Sequence, residues 1–116
     1  MSLMLKLGEE IPMKGRVVRV TQDAYDYLPS IRDELIQVAA DAGTVTYGEL
    51  KDRLQLPWAP NGMGRMLDLL SVDCQRRGEP SLAAVVVGQR TGEVGQDFDG
   101  DPVAERARVY GQLHWS

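Results

Sequence analysis

The feature that most constrains this fold is a pair of short helical segments separated by a stiff, proline-flanked connector. Thr46-Tyr47-Gly48-Glu49 has the capping-box pattern, in which the Thr46 hydroxyl accepts from the Glu49 backbone N–H and the Glu49 carboxylate accepts from the Thr46 N–H. A helix therefore starts there and turns Leu50, Leu54 and Tyr47 inward. It ends before Pro57, because the residue preceding a proline is pushed away from helical dihedrals. Pro57-Trp58-Ala59-Pro60-Asn61-Gly62 forms the connector, with Asn61 placed to cap a further helix that runs to about Arg77. Met63, Met66, Leu67, Leu70 and Cys74 recur at helical spacing as its buried stripe. Arg65, Asp68, Val72 and Arg76 face the other way, and Asp73 with Arg77 makes a favourable i,i+4 pair.

Upstream, Leu28, Ile31, Leu35, Val38 and Ala42 lie three and four residues apart, which predicts an amphipathic helix with Thr21 or Ser30 as its cap and Gly43 as its stop. Arg16 to Val20 reads as a short strand after the punctuation of Pro12 and Gly15. Downstream, Leu82 to Val87 is a continuous apolar run of strand length. Gln89 to Glu93 then forms a hairpin tip with Gly92 at positive φ, and Val94 and Phe98 lie on the return. Asp101-Pro102 opens a last helix reaching about Tyr110. The acidic stretch Asp97 to Asp101 is no calcium loop, since the positions needing Gly and Glu hold Pro102 and Arg108.

An amphipathic helix followed by helix, turn, helix, strand, tip and strand is a winged helix-turn-helix layout. The expected fold class is α+β: a three-helix core with a C-terminal β-hairpin wing, a short N-terminal strand and a C-terminal helix. The chain divides into an N-terminal arm over 1–20, a winged-helix-like domain over 21–100 and a C-terminal helix and tail over 101–116. Residues 1–3 read as a cloning remnant before a start at Met4.

Composition decides which chemistries remain. The 116 residues carry 13 Lys and Arg against 17 Asp and Glu, a net −4, which argues against a protein that coats nucleic acid broadly. From Thr44 to Gln96, however, six basic residues (Lys51, Arg53, Arg65, Arg76, Arg77, Arg90) face six acidic ones (Glu49, Asp52, Asp68, Asp73, Glu79, Glu93), so the deficit sits in the flanks. One cysteine and one histidine leave no disulfide framework and too few ligands for a Cys/His zinc site, and Cys74 reads as a packed small hydrophobe. No apolar run is long enough for a signal core or a membrane span, so the expected location is the cytoplasm, with no membrane partner.

Three blocks carry a resemblance: Gly43-Thr44-Val45-Thr46-Tyr47-Gly48-Glu49-Leu50, Asn61-Gly62-Met63-Gly64-Arg65-Met66-Leu67, and Leu82 to Gly95 ending in Thr91-Gly92-Glu93-Val94-Gly95. In this order they resemble the winged-helix domain of the O6-alkylguanine-DNA alkyltransferases and their alkyltransferase-like relatives, over about half of the chain. They are also similar to a set of small uncharacterised bacterial proteins, which implies fold only. In the alkyltransferases a tyrosine supports base flipping, an arginine fills the vacated stack and a Cys-His-Arg sequence supplies the acceptor thiolate. Tyr47 matches the tyrosine. Asn61 stands where the arginine would be, and Ala84-Val85-Val86 where Cys-His-Arg would be, so the resemblance implies the fold without the alkyl-transfer chemistry.

The functional expectation is accordingly a non-enzymatic protein, with no cofactor or metal, that binds duplex DNA through helix 61–77 and a wing over 88–95. Tyr47, Arg53, Asn61, Arg65 and Arg90 are the candidate contacts, and Arg76 and Arg77 are further cations for phosphate. The alternative is a protein-interaction module, such as a small regulatory or phage accessory protein, using Trp58 and the acidic flanks. Trp115 in the tail is expected to dock on the body or on a second copy, which keeps a homodimer among the expected assemblies.

Overall fold

A computed structural model describes residues 3–13, 15–58, 63–88 and 101–115. The fold is α+β, with four helices and a small antiparallel sheet among the described residues. The N-terminal segment forms a hairpin of β1 (Glu10–Met13) and β2 (Arg16–Arg19), with Glu10 opposite Arg19 and Pro12 opposite Val17. Sequence reading finds only the second strand. Pro12 looks like punctuation, yet in a two-stranded sheet each strand is an edge, where proline is tolerated. Gly15, at φ +77°, makes the turn that Cβ-bearing residues rarely adopt.

Helix α1 (Gln22–Ala40) starts two turns before Leu28: Thr21 is its cap, accepting from the Ala24 N–H at 3.2 Å, and Ser30 and Pro29 lie inside it. Ala24 and Leu28 extend the buried face back past the proline, and that burial outweighs the hydrogen bond Pro29 cannot donate. The stop is also one residue earlier than expected. Ala42, not Gly43, takes the left-handed conformation at φ 52°, and the Gly43 N–H bonds the Val38 carbonyl at 3.1 Å. Ala42 is therefore exposed beyond the helix, and Ala39 fills the buried position.

After β3 (Val45–Thr46) comes α2 (Tyr47–Leu54), opened by the complete capping box: Thr46 N–H to Glu49 Oε1 at 2.9 Å and Glu49 N–H to Thr46 Oγ1 at 3.1 Å. Helix α3 (Met63–Arg76) buries all five stripe residues and adds Leu69 and Asp73. Its end is a Schellman motif, with Gly78 at φ +74° and the Glu79 N–H on the Cys74 carbonyl at 3.0 Å.

The run Leu82 to Val87 departs from the expected strand. Leu82–Val85 is a 3₁₀ turn and only β4 (Val86–Val87) is extended, pairing in parallel with β3 as Val45 to Val86 and Thr46 to Val87. An apolar run of this length cannot distinguish strand from buried helix by periodicity. Here all six residues are buried, and the 3₁₀ turn lies among α1, α3 and α4 (Pro102–Gly111), where its two alanines permit close approach. Helix α4 opens on Asp101, which accepts from the Val103 and Ala104 N–H groups. It is tied to the body by Arg106 Nε on the Ala84 carbonyl at 2.8 Å and the Tyr110 hydroxyl on the Gly43 carbonyl at 2.7 Å. One hydrophobic cluster includes Leu5, Ile11 and Val18 of the arm, Val109 of α4 and the faces of α1 to α3. The Asn61 cap, the hairpin tip and the strand through Val94 and Phe98 lie outside the described residues.

Candidate functional site

The candidate DNA contacts fall at different places on this frame. Tyr47 begins α2 and is half-buried against the core, with Gly48 beside it. Arg53, on the exposed side of α2, is engaged by two carboxylates: Glu34 of α1 at 3.1 Å and Glu49 one turn back at 3.9 Å. The Glu49 carboxyl lies below the usual carboxylate range, chiefly because it accepts the Thr46 backbone N–H, then through the Thr46 side chain and the charge of Arg53. Arg65 occupies the first turn of α3 beside Gly64, both exposed, and makes no ion pair among the described residues. Asn61 and Arg90 lie outside those residues.

Helix α3 therefore has two dissimilar halves. Toward its C-terminus Arg76 reaches Glu9 at 2.7 Å and the Met4 carbonyl at 2.9 Å. The Glu9 carboxyl is pulled down to about 2, first by the Arg76 hydrogen bond and then by the Lys6 backbone N–H. Arg77 lies against Asp73 at 3.0 Å with a side chain only 6% exposed, so the expected i,i+4 pair forms and removes this cation from any phosphate. Midway along, Asp68 holds Arg16 of the hairpin at 3.2 Å. Arg65, in the first turn, is exposed and outside these pairs.

A second cluster lies beneath the surface, and sequence reading missed it. Arg32 of α1 is fully buried, with Nη2 on Glu79 Oε1 at 2.7 Å and Nη1 3.9 Å from both Asp73 Oδ2 and the Cys74 sulfur. Asp73 also accepts the Met4 backbone N–H at 2.6 Å. Two arginines thus meet two carboxylates, and no buried side-chain nitrogen or oxygen among the described residues lacks a hydrogen-bond partner. The signal was present: Arg32 follows Leu28 by four residues, on the apolar stripe of α1. Trp115 lies over this guanidinium, its ring centre 5.9 Å from Arg32 Cζ, so the tail docks on the body. Trp58 is half-buried and meets Tyr27 edge-on, with centroids 5.5 Å apart at 75°.

The thiol of Cys74 is buried, and desolvation pushes it up to about 11, far from the range of a reactive thiolate. Among the described residues no cluster of His, Cys, Asp or Glu is placed to hold a metal ion, and no helix is long and apolar enough to cross a membrane. A shallow groove of about 300 Å³ at the root of the hairpin is lined by Leu7, Gly8, Arg19, Val20, Thr21 and Gln22, with no acid–base pair in its walls. Comparison with protein-family models, with curated proteins and with solved structures gave no match.

Proposed function

We propose that this chain is a non-enzymatic helix-turn-helix protein of the winged-helix type that binds duplex DNA through the first turn of α3. The observation that carries the reading is the contrast along that helix. Arg65 is exposed and outside any ion pair among the described residues, whereas Arg76 and Arg77 are held by Glu9 and Asp73. Recognition helices address base edges with their N-terminal residues, which is the end Arg65 occupies. Asn61, just ahead of it, and Arg90 in the wing complete the proposed contact set, with Tyr47 and Arg53 at its margin. The order of the three sequence blocks supports the winged-helix assignment, and the buried, high-pKa thiol of Cys74 supports a binding role over alkyl transfer.

Fluorescence anisotropy with duplex DNA across a salt series tests the reading. Binding is expected at about 50 mM salt, where phosphate contacts are strongest, and Arg65→Glu is expected to abolish it. A wild-type chain that shows no binding there overturns it. The acidic total and the engagement of three candidate arginines favour a second reading, a protein-interaction module built on the same fold. Its contact surface is the half-buried Tyr27–Trp58 edge, and a second copy of the chain is one such partner. Trp58→Ala should then abolish partner capture or dimerisation, measured by pull-down and sedimentation. Tight DNA binding by a monomer that captures no protein rejects this second reading.

A further inference from the structure

We infer that the N-terminal hairpin is a second phosphate-contacting arm beside α3, with Arg16 as its cation and Asp68 as a built-in carboxylate that the DNA phosphate displaces. This rests on the duplex-DNA reading and adds to it a contact surface and a brake.

The placement follows from two ion pairs that lay the hairpin along the helix. Arg16 meets Asp68 at 3.2 Å, and Glu9, whose carbonyl accepts the Val20 N–H, meets Arg76 at 2.7 Å. From Asp68 to Arg76 the helix rises about 12 Å at 1.5 Å per residue. From Arg16 to Val20 a strand covers about 13 Å at 3.3 Å per residue. The two lengths match, so β2 runs beside α3 in the same direction, and the hairpin turn at Gly15 lies toward the end of α3 that carries Arg65. Asp68 follows Arg65 by three residues and shares its helix face, so Arg16 and Arg65 flank one carboxylate. Along this strip Arg16, Arg65 and Arg76 stand against Glu9 and Asp68, a positive balance in a chain whose total is −4.

The chemistry suits exchange. Arg16 keeps 41% of its side chain exposed while held by Asp68, and a guanidinium has five N–H donors, so an incoming phosphate can engage it before the carboxylate lets go. An exposed ion pair contributes little on its own, and a phosphate that replaces it also releases counterions from the duplex. Asp68 thereby orients Arg16 in the unbound protein and competes with DNA for it.

The experiment compares wild type, Asp68→Asn, Arg16→Ala, the double variant and Asp33→Asn, an exposed α1 residue, as a charge control. Each is titrated as the full chain against one duplex by anisotropy over a salt series, with folding checked by circular dichroism. Asp68→Asn should tighten binding about 2- to 5-fold, the range that releasing an exposed pair can supply, and by more than Asp33→Asn does. Arg16→Ala should weaken binding and lower the slope of log K against log salt by about 0.9, one phosphate contact, and should cancel the gain from Asp68→Asn. A duplex bound equally well by Asp68→Asn and Asp33→Asn, with the salt slope unmoved by Arg16→Ala, overturns the inference and leaves the duplex-DNA reading standing. No binding by wild type or Asp68→Asn overturns both.

Discussion

The molecule uses arginine–carboxylate pairs in two regions, and they do opposite work. Beneath the surface, Arg32 is held by Glu79 at 2.7 Å with no exposure on the guanidinium and 3% on the acid. On the surface, Arg53 holds Glu34 at 3.1 Å with 47% and 27% exposed, and Arg16, Arg76 and their partners are similar. The distances barely differ, but the surroundings do. Water solvates a surface pair almost as well apart as together, whereas a buried charge stripped of its partner has no solvent to turn to. The buried cluster therefore specifies how α1, the end of α3 and the N-terminal arm meet, and the surface pairs remain exchangeable.

The comparison can be broken at its strongest point by Arg32→Ala. Removing the cation that faces Glu79 and Asp73 should cost about 3–5 kcal/mol in urea denaturation. A loss below about 1 kcal/mol would put the cluster on a par with a surface pair. Trp115→Ala comes next: it uncovers the guanidinium face and should cost about 1–2 kcal/mol, the upper range for a cation–π contact shielded from water. If it leaves stability unchanged, the tail does not seal the cluster. Arg53→Ala should change stability by less than about 1 kcal/mol, and a larger loss would show that exposure is the wrong measure of these pairs.

The smallest effect, and the one that sharpens the contrast, is the pH dependence of the Glu9–Arg76 pair. The folded pKa of Glu9 is about 2 against an ordinary 4.5, so the folded state binds the proton less readily than the unfolded chain does. The stabilisation is present above pH 4.5 and is lost as pH falls toward 2. Thermal melts of wild type and Glu9→Gln should therefore differ at neutral pH and converge toward pH 2, with the difference shrinking in high salt. A constant difference across this window would contradict the assignment.

Legibility varied with the reach of the interactions. The start of α2 was readable because the capping box is complete within Thr46 to Glu49, and the α3 stripe and the Asp73–Arg77 pair because both repeat within one or two turns. The onset of α1 stays open in the sequence, since Thr21 and Ser30 are equal caps by chemistry, and the burial of Ala24 selects Thr21. Strand β1 was missed because its signal is the partner strand, not its own composition. For the candidate site, Arg65 reads the same either way, but that Arg53, Arg76 and Arg77 are engaged depends on Glu34, Glu9 and Asp73 reaching them in the folded chain.

Residues close together in the chain set where α2 and α4 begin, which face of α3 is apolar, and that the one thiol sits on that face, because capping and i,i+4 spacing act over a few residues. Folding alone decides that Leu82–Val85 tightens into a 3₁₀ turn, that Arg32 lies fully buried and that Arg53, Arg76 and Arg77 are engaged. The physical reason is that an arginine's environment is set by what packs around it. For Arg32 those neighbours are Asp73, Glu79 and Trp115, more than forty residues away in the chain and adjacent only after folding.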